Sequence, residues 1–599
     1  MTTTHRNWSN RPVMIALTFI LLALPGRSAA QRATPAAADY QDATSELRDL
    51  VSRYSTDRSA LLRRWDVQWS PARRDRMQAF YREWQGRLAG IEQGTLSVEG
   101  AIDFVLLQNE LRYRLKRLGR EEAEFEEMAD LLPFSLEIAG LEEARRAGQK
   151  VDPARAAELL DGLADQIESR RSSLAESPSS PGATRWERSA AFRAAQATSA
   201  LGEALTDWYE FHAGYDPVFT WWAEQPYERV SNEVEAYGKY LRETIVGLAP
   251  EEGDEDDAEA EDPIIGDPIG ASGLAADLEH EMLVYDAVGL ISIAEREYEW
   301  CVDRLKEASA ELGYGDDWHA ALEHVKALHL DPGEQPELVR QLAAEAIAFV
   351  EDRGLVTVPP LAKEIWRMEM LSPEAQETAP FFLGGEVVQV AFPTDGMSHQ
   401  EKLMSLRSNN VPFSRAVVHH ELIPGHHLQG FMTARYNTHR RAFSTPFWGE
   451  GWALYWEMLL WDLGFPRTPE ERIGMLFWRT HRAARILFSL KFHLGEMSAE
   501  EAIDFLVEGV GHERSAATAE VRRSFGGSYP PLYQAAYMIG GLQLRALHEE
   551  LVGSGRMSDR AFHDTILQGG SMPIEMHRAR LMGMVPEWEF VPQWRFADR

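Results

Sequence analysis

The stretch Val418–Gln429, which reads VHHELIPGHHLQ, restricts the fold of this chain more than any other. Within nine positions it holds four histidines and one glutamate, namely His419, His420, Glu421, His426 and His427. An apolar segment precedes it, so we expect these groups to be buried, and buried polar groups are costly unless a partner holds them. A divalent cation is the simplest partner, because imidazole and carboxylate are usual metal ligands. The alternative is a hydrogen-bonded polar cluster without a metal ion.

A second unusual stretch, Trp448–Asp462, follows the histidine-rich one. It is apolar almost all round a helix, which predicts a buried helix. Glu450 and Glu457 nevertheless stand in it, seven positions apart and therefore on one helix face. Buried carboxylates are costly unless they are paired or bound to a metal ion. Two histidines followed by a glutamate on a second helix match the ligand set of a catalytic zinc site, in which water takes the fourth position.

The spacing of the histidines departs from the common pattern H-E-x-x-H, in which they lie four apart on one helix face. Pro424 stands where the second histidine would be, and it lacks the N–H that would bond the carbonyl of His420. We therefore expect the helix to bulge or break at Pro424-Gly425. If these two residues are an insertion, His426 is the second ligand. On a straighter helix, His427 is the alternative.

The N-terminal sequence predicts export. Arg6 and Arg11 make a basic start, Val13–Leu24 is apolar, and Ser28-Ala29-Ala30 is a small-residue cleavage site. The apolar segment is too short to span a membrane, which disfavours the alternative of a membrane anchor. We predict a signal peptide over residues 1–30 and a periplasmic or extracellular mature protein.

Cysteine content and charge narrow the environment and the partners. The only cysteine is Cys301, so the chain forms no internal disulfide and has no cysteine for lipid attachment at the predicted signal junction. The formal net charge of −33 argues against nucleic acid and anionic membranes, because both are negatively charged. We expect no nucleic-acid partner and no membrane association after signal cleavage.

The remainder of the chain divides into three predicted regions. Residues 31–250 show helical patterns with charged faces and few candidate catalytic groups, which indicates a scaffold or lid. Residues 251–273 begin with an acidic run and continue as a Gly/Pro-containing loop, which indicates an insertion or linker. Residues 274–599 return to the helical pattern and contain the candidate zinc site. The predicted fold class is therefore mainly α.

One segment of the third region has the pattern of a strand. In residues 381–392, FFLGGEVVQVAF, apolar residues alternate with others between glycines and a proline. We predict a small β-element there. It could pair with an extended peptide beside the metal site, or it could belong to a small structural sheet.

The motifs HHELIPGHHLQ and EGWALYWE resemble those of the bacterial domain-of-unknown-function family 885, whose members are regarded as candidate zinc metallopeptidases. The resemblance begins at about residue 40 and is densest over residues 400–545. It implies a large helical, metallopeptidase-like fold with a deep cleft and one zinc ion per chain.

The resemblance also draws attention to Tyr537. Many relatives carry P-G-Q-A-x-x-Y-x-x-G after the second motif, and PLYQAAYMIG stands here. Pro531, Tyr537 and Gly540 match that pattern, whereas the residues between Pro531 and Ala535 do not. The resemblance therefore supports Tyr537 itself more than the loop before it.

The functional hypothesis is an exported zinc-dependent peptidase that acts on peptides. His420, His426 and Glu450 would hold Zn²⁺, with His427 as the alternative to His426. Two other functions stay open, a metal-dependent hydrolase of another amide and a catalytically silent protein that binds metal or peptide. The intact His-Glu pair favours catalysis, because a binding protein needs ligands but no base.

Four further residues have expected roles around that zinc ion. Glu421 would accept a proton from the attacking water and pass it to the leaving amine. Tyr537 would donate a hydrogen bond to the developing oxyanion. Glu457 and His419 would support the ligands from behind by hydrogen bonding and orienting them.

Overall fold

The computed structural model describes most of the chain, over residues 45–176, 185–249, 263–376, 381–527 and 529–598. The predicted signal peptide and the acidic run at residues 251–262 lie outside these ranges. The described chain is helical almost throughout, so the prediction of a mainly α fold is confirmed. Within these ranges, no helix combines the length and the apolar character needed to cross a membrane.

The first part of the chain consists of amphipathic helices. Their bounds are α1 Arg48–Arg64, α2 Pro71–Ala89, α3 Val98–Met128, α4 Ser135–Arg146, α5 Pro153–Glu176, α6 Arg185–Ala213 and α7 Pro217–Tyr240. Side chains cap several helix starts; the Ser97 hydroxyl accepts the N–H of Gly100, and Asp216 accepts the N–H of Phe219. Helices α4–α7 and the end of α3 share one core, which includes Trp208.

The second part of the chain carries the candidate site. Its helices are α8 Gly270–His280, α9 Ala287–Glu311, α10 Trp318–Lys326, α11 Gln335–Asp352, α12 Pro360–Ile365, α13 Pro373–Gln376, α14 His399–Ser408, α15 Val411–Glu421, α16 His426–Thr433, α17 Pro446–Asp462, α18 Pro469–His493, α19 Ala499–Phe505, α20 Arg514–Phe525, α21 Tyr533–His548, α22 Asp559–Gln568 and α23 Ile574–Met582. Shorter helical turns span Gln93–Thr95, Ala129–Leu131, Leu241–Val246, Thr438–Phe443, Leu506–Val510 and Glu549–Gly553.

Helices α17 and α18 form the centre of this second part. Most residues of both helices are buried, as the all-round apolar pattern of α17 predicted. Helix α17 packs along α21, and α15 packs along α18. These contacts bring the histidine-rich stretch, the two glutamates of α17 and the start of α21 to one place.

The two parts of the chain are joined by a shared core. Helices α1–α3 bury their apolar faces together with Phe443, Met572 and Met576 from the second part. At the edge of this core, Asp103 on α3 forms ion pairs with His439 and Arg440. The N-terminal helices are thus anchored to the helices that carry the candidate site.

The predicted β-element is a strand shorter than its sequence pattern. Strand β1 spans Arg367–Met370 and strand β2 spans Val387–Val390, and the two pair in parallel with Met368 opposite Val388. On its other edge, β2 forms an antiparallel bridge between Leu383 and Gln389. Because both edges are occupied at this point, β2 belongs to a small structural sheet, and the residues before it turn toward the histidines.

Candidate metal centre

The histidine-rich stretch is divided between two helices. Helix α15 ends at Glu421 and α16 begins at His426, so the predicted break at Pro424-Gly425 is confirmed. The turn is tight, because the N–H of Gly425 donates to the carbonyl of His419, and a Cβ atom at Gly425 would overlap the carbonyl oxygen of His420. Glycine is therefore required here by the close approach of the backbone.

The break brings three of the predicted ligands together. Glu450 Oε2 lies 3.1 Å from His426 Nε2 and 3.6 Å from His420 Nε2. One ligand atom from each residue lies within 4.8 Å of the others. His420 and Glu450 are buried, whereas the His426 side chain is 21% exposed and faces the cavity described below. Two nitrogens and a carboxylate oxygen in this arrangement are suited to a divalent metal ion.

His427, the alternative to His426, is directed elsewhere. Its Nε2–H donates to the carbonyl of Ala362 at 2.7 Å, and its ring lies near Phe431. Burial lowers the pKa of His427. The structure therefore places His426, and not His427, with His420 and Glu450.

Glu457 holds the far side of the His420 ring. The Nδ1–H of His420 donates to Glu457 Oε1 at 2.6 Å. The other ring nitrogen, Nε2, faces Glu450 and is the atom available to a metal ion. Burial disfavours a charged imidazole, but the interactions of His420 with the carboxylates of Glu450 and Glu457 outweigh burial and raise the pKa of His420 to about 9. The surrounding carboxylates thus favour positive charge at this ring, and a metal ion would compete with the proton for it.

His419 points into the core. Its Nδ1–H donates to the carbonyl of Arg415 at 2.9 Å, and its ring meets the Phe465 ring edge-on. Burial lowers the pKa of His419 to about 4, so the ring is neutral near pH 7. Within the described residues, no hydrogen bond connects His419 to His420, His426 or Glu450.

Glu421 is buried beside the three ligands and lines the same cavity. The segment before β2 passes directly over it, since the N–H of Gly385 donates to the Glu421 carbonyl at 3.2 Å. A Cβ atom at Gly384 would overlap the Glu421 carboxylate. Burial raises the pKa of Glu421, and no described residue donates a hydrogen bond to its carboxylate. This carboxylate is therefore free to accept a proton.

Two tyrosines of α21 face the ligands. Tyr537 lies nearly parallel to the His420 ring, with 6.2 Å between the ring centroids, and burial raises the pKa of its hydroxyl. Tyr533 donates its hydroxyl proton to Glu450 Oε1. Sequence reasoning assigned a role to Tyr537 and missed Tyr533, although their spacing of four residues placed both on one helix face.

The ligands open onto a cavity of about 350 Å³. It is lined by Phe381, Phe382, Leu383, Gly384, Val417, His420, Glu421, His426, Glu450, Trp478, Arg482, Arg485, Arg523, Tyr529, Tyr533 and Tyr537. Aromatic and apolar groups make up one part of this lining, and three arginines make up another. A cavity with a few converging polar groups is typical of a binding site.

Comparison with known proteins places the chain among its relatives. The profile of a bacterial family described as "Bacterial protein of unknown function (DUF885)" matches residues 52–581. The chain belongs to this family. The DUF885 match includes every predicted ligand and every residue that lines the cavity. Among curated proteins, none is significantly similar in sequence.

Two solved structures share the fold of this DUF885 chain. One is described as a candidate lipoprotein of unknown function from Shewanella oneidensis; it is 17% identical, with a TM-score of 0.65 over 89% of this chain and 99% of its own. The other is described as a candidate lipoprotein from Colwellia psychrerythraea; it is 15% identical, with a TM-score of 0.56 over 90% of this chain and 98% of its own. At these identities the likeness establishes the fold.

The arginines of the DUF885 cavity are the functional candidates that sequence reasoning missed. Arg482 and Arg485 lie on α18, and Arg523 lies on α20. The available signal was the presence of arginines in an α18 sequence that is otherwise largely apolar. Such residues need a buried partner, and a partner distant in sequence becomes visible only in the folded chain.

Proposed function

We propose that this DUF885 chain is a zinc-dependent peptidase. The observation that carries the proposal is the convergence of His420, His426 and Glu450 on a cavity that also holds the unpaired carboxylate of Glu421. Three ligands leave a fourth position open, which distinguishes catalytic zinc sites from closed structural ones. A carboxylate that is not a ligand and accepts no hydrogen bond from the described residues is what a general base requires.

The donor chemistry suits zinc. The ligand set is two imidazole nitrogens and one carboxylate oxygen, and the carboxylate of Glu457 fixes the tautomer of His420 from behind. The bound zinc would supply Lewis acidity toward water and toward the scissile carbonyl.

The protein's own groups would perform the proton transfers. Glu421 would accept a proton from the attacking water and deliver it to the leaving amine, with its raised pKa bringing it closer to the working pH. Tyr537 would donate to the oxyanion as it forms, because it lines the cavity and its hydroxyl, with a raised pKa, keeps its proton. Tyr533 would hold Glu450 in position through its hydrogen bond.

We also propose that the chain is exported. The support is the sequence before residue 31 together with the fold shared with two proteins described as candidate lipoproteins. The only cysteine of this chain, Cys301, is buried in α9. A lipid carried on a cysteine therefore forms no part of the proposal, and the protein would act free in the periplasm or outside the cell.

The test combines metal content with cleavage. Purified full-length chain should contain about one zinc per molecule by elemental analysis, and it should cut members of a mixed peptide pool in a chelator-sensitive way. His426→Ala should lose zinc, whereas His427→Ala, the matched control one position later, should retain it. A zinc-free wild type would overturn the metal assignment. A zinc-loaded protein that cuts no peptide would favour a silent binding protein or a hydrolase of another amide.

A further inference from the structure

One buried arginine in the cavity is left without a hydrogen-bonding partner. Arg482 is 5% exposed, and none of its nitrogens forms a hydrogen bond with any described residue. Its closest carboxylate is Glu457, at 3.9 Å, and that oxygen already accepts a hydrogen bond from His420. A buried guanidinium without hydrogen-bonding partners is costly, and an anionic ligand would supply those partners.

The neighbouring arginines do not compensate Arg482; they increase the positive charge. Arg485 and Arg523 both bind the same carboxylate, Glu520, which leaves one negative charge for two guanidinium groups. Burial first, and then the nearby charge of Arg485, lower the pKa of Arg482. Glu520 is thus the carboxylate that Arg485 and Arg523 share, and it forms no hydrogen bond with Arg482, whose donors remain available to an anionic ligand.

The shape of the site indicates which anion. The Arg482 guanidinium lies over the Tyr537 ring at 4.5 Å and over the Trp478 ring at 5.3 Å. These contacts hold the guanidinium beside two aromatic rings, and a planar guanidinium can bind a carboxylate through two parallel hydrogen bonds. A flat carboxylate between aromatic groups is the anion that a peptide substrate itself provides.

The distance to the ligands fits a peptide of ordinary length. Only two short contacts, from Arg482 to Glu457 and from Glu457 to His420, separate the guanidinium from a ligand ring. An extended residue spans about 3.3–3.6 Å, so a carboxylate within about three residues of the scissile bond would reach Arg482.

We propose that Arg482 binds a carboxylate of the substrate and thereby selects peptides that carry one next to the cleaved bond. The proposal builds on the peptidase function and defines its substrate class. The carboxylate has two possible sources, the C-terminus of the peptide or an acidic side chain. The first makes the protein a carboxypeptidase-type enzyme that releases short C-terminal fragments; the second makes it selective for acidic peptides.

The cleavage test uses matched peptides and the zinc-loaded full chain. One pair differs only in ending as a free acid or an amide, and a second pair, both amidated, differs only in Glu or Gln near the cut. The wild type should prefer the acid member of one pair by about 10- to 100-fold in kcat/KM, the size expected for charge-assisted hydrogen bonds. Arg482→Gln should lose that preference mainly through KM, and mass spectrometry of the products should show which carboxylate matters.

The control is Arg479→Gln, on the same helix. Arg479 is as buried as Arg482, but it binds Glu297 and stacks on Trp300 outside the cavity. This variant should lower thermal stability without changing the preference for the carboxylate. If Arg482→Gln and Arg479→Gln shift the preference equally, or if the wild type shows no preference in either pair, the proposal is wrong.

A binding measurement separates this proposal from the peptidase function. The zinc is removed with a chelator, so that a carboxylate has no metal to bind, and calorimetry compares a tetrapeptide with its C-terminal amide and a Glu-containing amidated tetrapeptide with its Gln counterpart. Tighter binding of the acidic member, lost in Arg482→Gln and kept in Arg479→Gln, supports the proposal even if no peptide is ever cleaved. Equal binding of both members of each pair contradicts it, whatever the catalytic result.

Discussion

The molecule buries two clusters of charged side chains and histidines, and they differ in how completely the charged groups are paired with one another. In the first, Arg440 donates to Asp103, to Glu99 and to the carbonyl of Gly569, and His439 donates to Asp103. In the second, the candidate metal site of His420, His426 and Glu450, which we call the metal cluster, the potential ligand atoms converge on a cavity. That cavity also contains the carboxylate of Glu421 and the guanidinium of Arg482, neither of which forms a hydrogen bond with a described residue.

The difference shows what separates a structural cluster from a functional one. In the Asp103 cluster, burial alone would raise the carboxyl pKa, but Arg440 and His439 outweigh burial and lower it, so the charges compensate each other inside the protein. Around the metal cluster, Glu421 and Arg482 form no hydrogen bond with a described residue, so a ligand from outside the chain would supply their partners. We therefore expect substitutions in the first cluster to act on stability and substitutions around the second to act on zinc and turnover.

The largest effect is expected for Glu421→Gln. Glutamine preserves the shape of the side chain but cannot accept the proton, so turnover of a cleaved peptide should fall by about 10²–10⁴-fold. Zinc content and melting temperature should stay near those of the wild type, because Glu421 is not one of the converging ligands. Elemental analysis, thermal unfolding and steady-state kinetics measure the three quantities. Loss of zinc would make Glu421 a ligand, and undiminished turnover would place the base elsewhere, with Glu457 as the next candidate.

Asp103→Asn should show the opposite pattern. Breaking a buried ion pair by removing one charge typically costs about 3–5 kcal/mol. In this variant Arg440 would lose one of its two carboxylate partners and keep the other, Glu99. Denaturant unfolding should show this loss in the free energy of unfolding, while zinc per folded molecule and turnover per folded molecule stay unchanged. A variant with wild-type stability and reduced turnover would erase the distinction between the two clusters.

Tyr537→Phe tests a residue that lines the cavity, and it removes less than the two preceding substitutions. The ring and its contacts with His420, Arg482 and Arg485 remain, and only the hydroxyl is lost. Turnover should fall by about 10²–10³-fold if that hydroxyl donates to the oxyanion. Tyr455→Phe is the matched control, since the Tyr455 hydroxyl bonds His563 in the core, and it should reduce stability alone. Equal turnover in the two variants would return Tyr537 to a packing role.

Glu457→Gln should have the smallest effect of the series. The amide can still accept a hydrogen bond from His420 Nδ1, but it no longer carries the charge that strengthens the ligand, so zinc affinity should fall by about 10–100-fold. Competition with a metal-binding dye gives the dissociation constant. Unchanged zinc affinity would mean that Glu457 interacts with Arg482 and does not strengthen zinc binding by His420.

The sequence allowed prediction of those features of the site that depend on residues close together in the chain. The break between α15 and α16 followed from Pro424-Gly425, and the shared face of Glu450 and Glu457 followed from their spacing of seven residues. Helical periodicity determines such relations within one short segment, independently of the rest of the fold. The mainly α class followed from the same periodicity.

The other half of the site depends on long-range packing. No local rule places Gly384 over the carboxylate of Glu421 or brings Arg523 beside Arg485, because these pairs meet only when distant helices pack. The orientation of His419 also depends on long-range packing. His419 is next to a predicted ligand in sequence, which led to the prediction of a supporting role, but its side chain faces Phe465. Strand β2 was shorter than its pattern because the partner strand β1 offers only four residues for pairing.

Helix α3 contacts residues near the C-terminal end of the chain, and this contact affects when α3 can complete its packing during synthesis. Glu99 is bonded by Arg580, which is made 481 residues later. At about 5–20 residues per second, roughly 25–100 s separate the appearance of these two residues. During that interval the first helices lack the residues that complete their core. The newly made part of the chain therefore cannot finish packing until the last helices appear. If the chain is exported as we propose, this interval would leave its first helices incompletely packed at the time when transport begins.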